Sequence, residues 1–176
     1  MWNDNLSLSN DTAKKSPYFI PAAVEYARSL KAKGMRVEAE HQLHRAESLS
    51  GPKHLLFYSL GAISMEKGNH EKAKQYFLQA LAVEKKKKKL VLMGPSLRKS
   101  ILASLSDLEM AETKPYSDKR TREGYYQKAV GYLIEAYNED PGDHFLLYNI
   151  GKLYVLQGNR AEATKYFVKK KKKWDN

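Results

Sequence analysis

Residues 57–80 read FYSLGAISMEKGNHEKAKQYFLQA, and the rest of the chain is arranged around them. Phe57, Leu60 and Phe77 are large and apolar, whereas Gly61, Ala73 and Ala80 are small, and both sets recur at helical spacing on either side of Gly68 and Asn69. Two antiparallel helices satisfy that pattern: the small residues let the backbones approach closely while the large side chains fill the space between them. The Gly68-Asn69 pair stops the first helix and caps the second.

A helix pair of this size cannot bury its apolar face alone, which demands neighbours at a fixed period. The neighbours are present. Thirty-four residues before Gly68, Ala73 and Ala80 stand Gly34, Ala39 and Ala46, with Tyr26 and Leu43 in the large apolar positions and Ala27 in the place of Gly61. Further on, Leu147, Ile150, Gly151, Tyr154, Gly158, Ala163 and Phe167 repeat the pattern, and the string G-N-x-x-x-A-x-x-Y-F occurs at both 68–77 and 158–167. The two copies lie 90 residues apart, so the unit between them carries 22 residues beyond two periods of 34. Its second half is marked by Ala129, Leu133, Ala136 and Pro141, while its first half is displaced.

On the spacing of Phe57, Leu60, Gly61, Gly68, Ala73, Phe77 and Ala80, the chain resembles the tetratricopeptide-repeat family, whose unit is a 34-residue helix-turn-helix. The resemblance implies an all-α, right-handed superhelical solenoid of about four antiparallel helix pairs over residues 20–175, with repeats at about 20–53, 54–87, 88–143 and 144–175. Residues 1–19 are left as a mobile arm, because the start of the chain is polar and aperiodic.

With 176 residues and 42% hydrophobic content, the chain can bury a core as one domain. Its longest apolar runs fall far short of the roughly 18 residues of a membrane span, and the N-terminus has neither a basic start nor an apolar centre. A soluble, cytoplasmic protein with no membrane span is the expectation. The absence of cysteine excludes disulfides, zinc-finger ligands and thiol catalysis. The net charge of +11 comes from 31 basic and 20 acidic residues, yet ten of the basic ones are the lysine runs at 85–89 and 169–173. Without them the balance is near zero, so the charge is two local features. Such runs read as solvated helix ends rather than as the distributed basic face of a nucleic-acid binder.

In chain order, Pro17 and Pro21 permit a first helix at 21–32, with Ala23, Tyr26, Ala27 and Leu30 inward. A second helix follows Gly34 and stops at Ser50-Gly51-Pro52. The helix after Asn69 runs into the first lysine run, and Gly94-Pro95-Ser96 marks a turn beyond it. Leu97, Ile101, Leu102, Leu105 and Leu108 predict a helix over 97–111. Residues 112–122 lack an apolar stripe and contain Pro115, which predicts a long exposed loop holding the 22-residue excess. A helix resumes at 123–138, with Tyr126, Ala129, Val130, Leu133 and Ala136 inward. The last repeat departs from the others at Lys170, which stands where they carry Ala46, Ala80 and Ala136.

Catalysis would need convergent titratable groups, and the five histidines do not supply them. His41 and His44 lie at i, i+3 beside Glu38, Glu40 and Glu47, but no further ligand is announced, and a solvated helix face accounts for them. A phosphate-binding glycine loop, a nucleophile elbow and an H-E-x-x-H motif are all absent from the sequence. No enzymatic activity, cofactor or metal is expected.

The resemblance implies instead a concave groove lined by positions two, five, nine, twelve and thirteen of each repeat. In this chain those are Pro21, Val24, Arg28, Lys31 and Ala32 in the first repeat. The second repeat supplies Leu55, Tyr58, Ala62, Met65 and Glu66, and the fourth Phe145, Tyr148, Lys152, Val155 and Leu156. The surface is apolar and aromatic with a few cations, suited to a protein or peptide partner whose acidic groups meet Arg28 or Lys152. Chaperone-binding members of the family grip a carboxylate with Lys, Asn and Arg, whereas the matching positions here hold Val24, Arg28, Ser59, Ser100 and Ser104. The expected function is therefore a non-enzymatic interaction scaffold or adaptor. Two alternatives stand beside it: a secretion-type chaperone shielding an apolar client segment, and a polybasic nucleic-acid or membrane-surface binder acting through the lysine runs.

Overall fold

The computed structural model describes residues 5–85, 95–113 and 118–174. Over these the chain forms helices α1 (Asn5–Lys15), α2 (Ile20–Ala32), α3 (Arg36–Ala46), α4 (His54–Glu66), α5 (His70–Lys85), α6 (Pro95–Ala111), α7 (Lys119–Glu139), α8 (His144–Leu156) and α9 (Arg160–Trp174), with no strand among the described residues. They fall into two compact units, Met1–Leu92 with α1 to α5 and Met93–Asn176 with α6 to α9.

In the first unit α2 pairs with α3 and α4 with α5, and α4 also packs on both α2 and α3. Ile20, Val24, Ala27 and Leu30 of α2 meet Ala39, Leu43 and Ala46 of α3 and Leu56, Leu60 and Ile63 of α4 in one core. Each fully buried leucine or isoleucine there contributes about 1.5–3 kcal/mol by leaving water. Between α4 and α5, Gly68 takes φ +74°, and its N–H donates to the Met65 carbonyl at 3.0 Å while the Asn69 N–H donates to that of Ser64 at 2.9 Å. The Asn69 side chain then accepts from the Lys72 N–H at 3.2 Å, so the expected stop and cap are both formed.

The polar N-terminus is a correction to the expected arm. From Asn5 it is helical, and Leu6 packs against the core of the first unit. Leu6, Ser9 and Ala13 share one side of α1, and the buried Ser9 hydroxyl satisfies itself by donating to the Leu6 carbonyl at 3.0 Å. A face built from one leucine and two small residues is too weak a hydrophobic stripe to announce itself in sequence.

In the second unit α6 pairs with α7, α8 with α9, and α7 with α8. Helix α6 buries Ile101, Leu102, Leu105 and Leu108, and α7 buries Ala129, Val130, Leu133 and Ala136. The start of α6 is tied to the end of α7 and the turn beyond it: Arg98 Nε pairs with Glu139 at 2.7 Å, and Lys99 reaches Asp140 at 2.8 Å and Asp143 at 2.9 Å. Asp143 also caps α8, accepting from the N–H groups of Phe145 and Leu146.

The extra residues are placed differently from the expectation. From His54 to Pro95 is 41 residues and from Pro95 to His144 is 49, so most of the excess over 34-residue periods belongs to the α6–α7 unit. Much of it is helical. Helices α6 and α7 have 17 and 21 residues against 13 and 16 in α4 and α5. Helix α7 begins at Lys119 instead of residue 123, because Asp118 caps it by accepting from the Thr121 N–H at 2.9 Å. The expected loop thus loses its last four residues to helix; Lys114, Pro115, Tyr116 and Ser117 lie outside the described residues, as do lysines 86–89. Helix α9 passes through position 170, whose side chain is likewise outside them.

Candidate functional site

In the first unit the expected groove residues separate into three groups. Val24 is a correction: at 2% exposure it belongs to the core that α2 shares with α3 and α4. Leu55 is also drawn inward and packs against the same core. Tyr58, Ala62 and Met65 remain half-buried along α4. Four cations of this unit are paired within it. Arg28 pairs with Glu25 at 3.2 Å, Lys31 and Arg36 converge on Glu66 at 2.5 and 3.4 Å, and Lys67 pairs with Glu40. The Lys67 ammonium, hydrogen-bonded to it, holds the Glu40 carboxyl below its ordinary value.

The second unit presents a different surface. Phe145, Tyr148, Lys152, Val155 and Leu156 follow one another at i, i+3, i+7, i+10 and i+11 along α8, a single helical face, and all five are exposed. Phe145 reaches 80% exposure, and Tyr148, Val155 and Leu156 are about half exposed. The opposite face of α8 carries the buried Leu146, Leu147, Ile150, Gly151 and Leu153. At its far end the exposed face adjoins a cleft of about 200 Å³ between the first turns of α7 and the end of α8, lined by Lys119, Arg122, Glu123, Tyr126, Leu156 and Gln157. Sequence reasoning missed Lys119 and Arg122 because it began α7 later; Asp118, three residues before Thr121, was the capping signal that could have placed them.

Tyr58 and Tyr148 each touch the second helix of their own pair, with ring centroids 6.0 Å from Phe77 and 6.1 Å from Phe167. Both tyrosines therefore take part in packing within their own pairs. The Ser59 and Ser104 hydroxyls donate to the carbonyls of Leu55 and Ser100 at 2.9 and 3.0 Å. His44 sits between carboxylates, with Nδ1 2.6 Å from Glu47 and Nε2 3.8 Å from Glu40. Among the described residues, no group of three or more His, Asp or Glu is placed to hold a metal ion, and no helix is long and apolar enough to cross a membrane. Two larger open clefts, of about 860 and 600 Å³, flank α1 and involve none of the α4 or α8 face.

Residues 55–87 and 146–169 match the tetratricopeptide repeat family. These segments hold α4 with α5 and α8 with much of α9, the two pairs in which the glycine-asparagine turn is complete. Among curated proteins none matches the chain. Solved structures share its fold at low identity. A crystal structure of MamA is 18% identical with a TM-score of 0.72, covering 97% of this chain and 86% of that one. A human IFIT1 dimer with PPP-AAAA is 16% identical with a TM-score of 0.72, covering 94% of this chain but 35% of that one. The Cut9–Hcn1 hetero-tetramer of APC/C is 15% identical with a TM-score of 0.54, covering 97% of this chain and 36% of that one.

Proposed function

We propose that this chain, built of tetratricopeptide repeats, is a protein-interaction scaffold that receives a partner segment on the exposed face of α8, without a catalytic step of its own. The observation that carries the reading is the row Phe145, Tyr148, Val155 and Leu156, four large apolar side chains held in solvent on one face of a helix whose other face is locked into the core. A row of this kind costs solubility, and apart from Tyr148, whose ring also meets Phe167, its side chains stand away from the buried face of α8, which is the signature of a surface kept for contact with another molecule. In the first unit the corresponding helix α4 offers Tyr58, Ala62 and Met65, all half-buried.

A partner entering as a helix would lay its own apolar face along α8, and one entering extended would place alternate side chains between Phe145, Tyr148 and Val155. Phenylalanine and tyrosine provide large, stiff contact area, and truncating such anchors at a desolvated centre removes on the order of 2 kcal/mol or more. The test is to capture the partner from a native lysate with the untagged chain and titrate it calorimetrically against Phe145→Ala, Tyr148→Ala and a variant with lysines 85–89 changed to glutamine. Loss of affinity in the two α8 variants is the expected result. Unchanged affinity in both, with strong loss in the lysine variant, would overturn the reading in favour of polybasic binding.

A further inference from the structure

We infer that the segment bound along α8 is an acidic as well as an apolar peptide, and that Lys119 and Arg122 receive its carboxylates in the cleft at the end of that helix. This rests on the α8 reading above and adds the chemistry of the partner to it.

The fold commits some cations to its own carboxylates and leaves others open. In the first unit Arg28, Lys31, Arg36 and Lys67 are each spent on a carboxylate of the same unit. In the second, Arg98 and Lys99 are spent on Glu135, Glu139, Asp140 and Asp143. Lys119, Arg122 and Lys152, in contrast, are engaged by no ion pair among the described residues, and unlike Arg120, Lys128 and Arg160, which are also outside any ion pair, they belong to the cleft or to the α8 face. All three stand on or beside the exposed apolar face. Lys152 lies between Tyr148 and Leu156 at i, i+4, i+8 along α8, and Leu156 itself forms one wall of the cleft that holds Lys119 and Arg122. Two carboxylates stand near this charge and offset part of it: Asp118, which caps α7 by accepting from the Thr121 N–H at 2.9 Å, and Glu123, which lines the cleft with the two cations. With Lys152 counted, three cations face two carboxylates, and the balance stays positive.

An occupant that covers Phe145, Tyr148 and Val155 and continues past Leu156 therefore meets positive charge at Lys152 and again in the cleft. Arg122 is partly buried as a residue, and its planar guanidinium can take a carboxylate in a bidentate pair. Basic segments would meet like charge at the same places, which makes the surface selective as well as attractive.

A phage-displayed library of random peptides of about twelve residues, long enough to run the length of α8 as a helix, is panned on the full chain. The selected peptides are then titrated by fluorescence anisotropy against the full chain and its variants. Expected are peptides enriched in Asp or Glu beside apolar residues, whose affinity falls about tenfold in the double variant Lys119→Gln, Arg122→Gln and weakens with added salt. Peptides without acidic enrichment, or acidic ones indifferent to the double variant, would overturn the inference. A loss confined to Phe145→Ala would sink the acidic partner and leave the α8 reading standing, whereas indifference to all three substitutions would sink both. Oligoadenylate binding more tightly than any selected peptide, and lost in the double variant, would assign the cations to nucleic acid and overturn the peptide.

Discussion

The rings of Tyr148 and Phe167 lie 6.1 Å apart with their planes tilted by 43°, and Tyr58 and Phe77, ninety residues earlier, repeat the arrangement at 6.0 Å and 40°. The same pair geometry in two separate units means that it is a property of the helix pair itself. It depends on the glycine one turn further along the first helix. A Cβ built on Gly61 would stand 2.6 Å from the Phe77 ring, and one on Gly151 would meet the Phe167 ring as closely. Only a hydrogen at that position leaves room for the phenylalanine ring between the helices, with the tyrosine ring tilted against it.

Replacing Gly61 with alanine sets two effects against each other. Helix propensity favours alanine by about 1 kcal/mol, while forcing a methyl group against a fully buried ring costs about 1–3 kcal/mol in shifted packing. Net destabilisation of Gly61→Ala is expected in thermal unfolding. Gly131, exposed within α7 and with nothing within 4 Å of its added Cβ, is the control: Gly131→Ala should raise the melting temperature, by the propensity term alone. A Gly61 variant as stable as the parent would mean that the Phe77 ring gives way.

Ala73 is fully buried where α5 meets α4. Ala73→Glu places a carboxylate in that contact with no room to reach water, which should cost several kcal/mol, on the order of 3–5. Chemical denaturation reads this directly. A variant within a few tenths of a kcal/mol of the parent would show that the helix pair is not packed as described.

The Glu40–Lys67 pair predicts a dependence on acid pH. The folded carboxyl titrates below its ordinary value, chiefly through its hydrogen bond to Lys67. Its contribution is therefore complete above the unfolded value and disappears as the pH falls through the folded one. Glu40→Gln should lower the melting temperature at neutral pH by a small amount, matching the 0.2–1 kcal/mol or so of a partly exposed pair. The two melting curves should converge below the glutamate range. A gap that persisted at low pH would assign the effect to packing.

Phe145 and Tyr148 can be told apart. At 80% exposure Phe145 contributes little to the folded state, so Phe145→Ala should leave stability within about 0.5 kcal/mol of the parent while weakening partner binding. Tyr148→Ala should lose both, because its ring is also the neighbour of Phe167. Paired unfolding and titration curves would show the split. Equal destabilisation by both would place Phe145 in a packed site.

The helix pairs, the glycine-asparagine turns and the core positions were legible in the sequence because each rests on contacts within one pair, where a large residue on one helix faces a small one on the next. Phe77 over Gly61 and the capping side chain of Asn69 need nothing beyond their own thirty-odd residues. What the tertiary structure decided was which outer faces stay open, since that depends on the neighbours each pair receives. Leu55 and Phe145 hold the same repeat position, yet α4 is packed on both α2 and α3 and draws Leu55 inward, while α8, packed on α7 and α9, leaves Phe145 in solvent. Val24 was lost from the groove for the same reason, and α1 formed because the core of the first unit gave a weak helix one apolar place to rest. Glu109 is the sharpest case. Its spacing from Ile101 and Leu105 puts it inside and its charge puts it outside; in the folded chain it is inside, at 1% exposure.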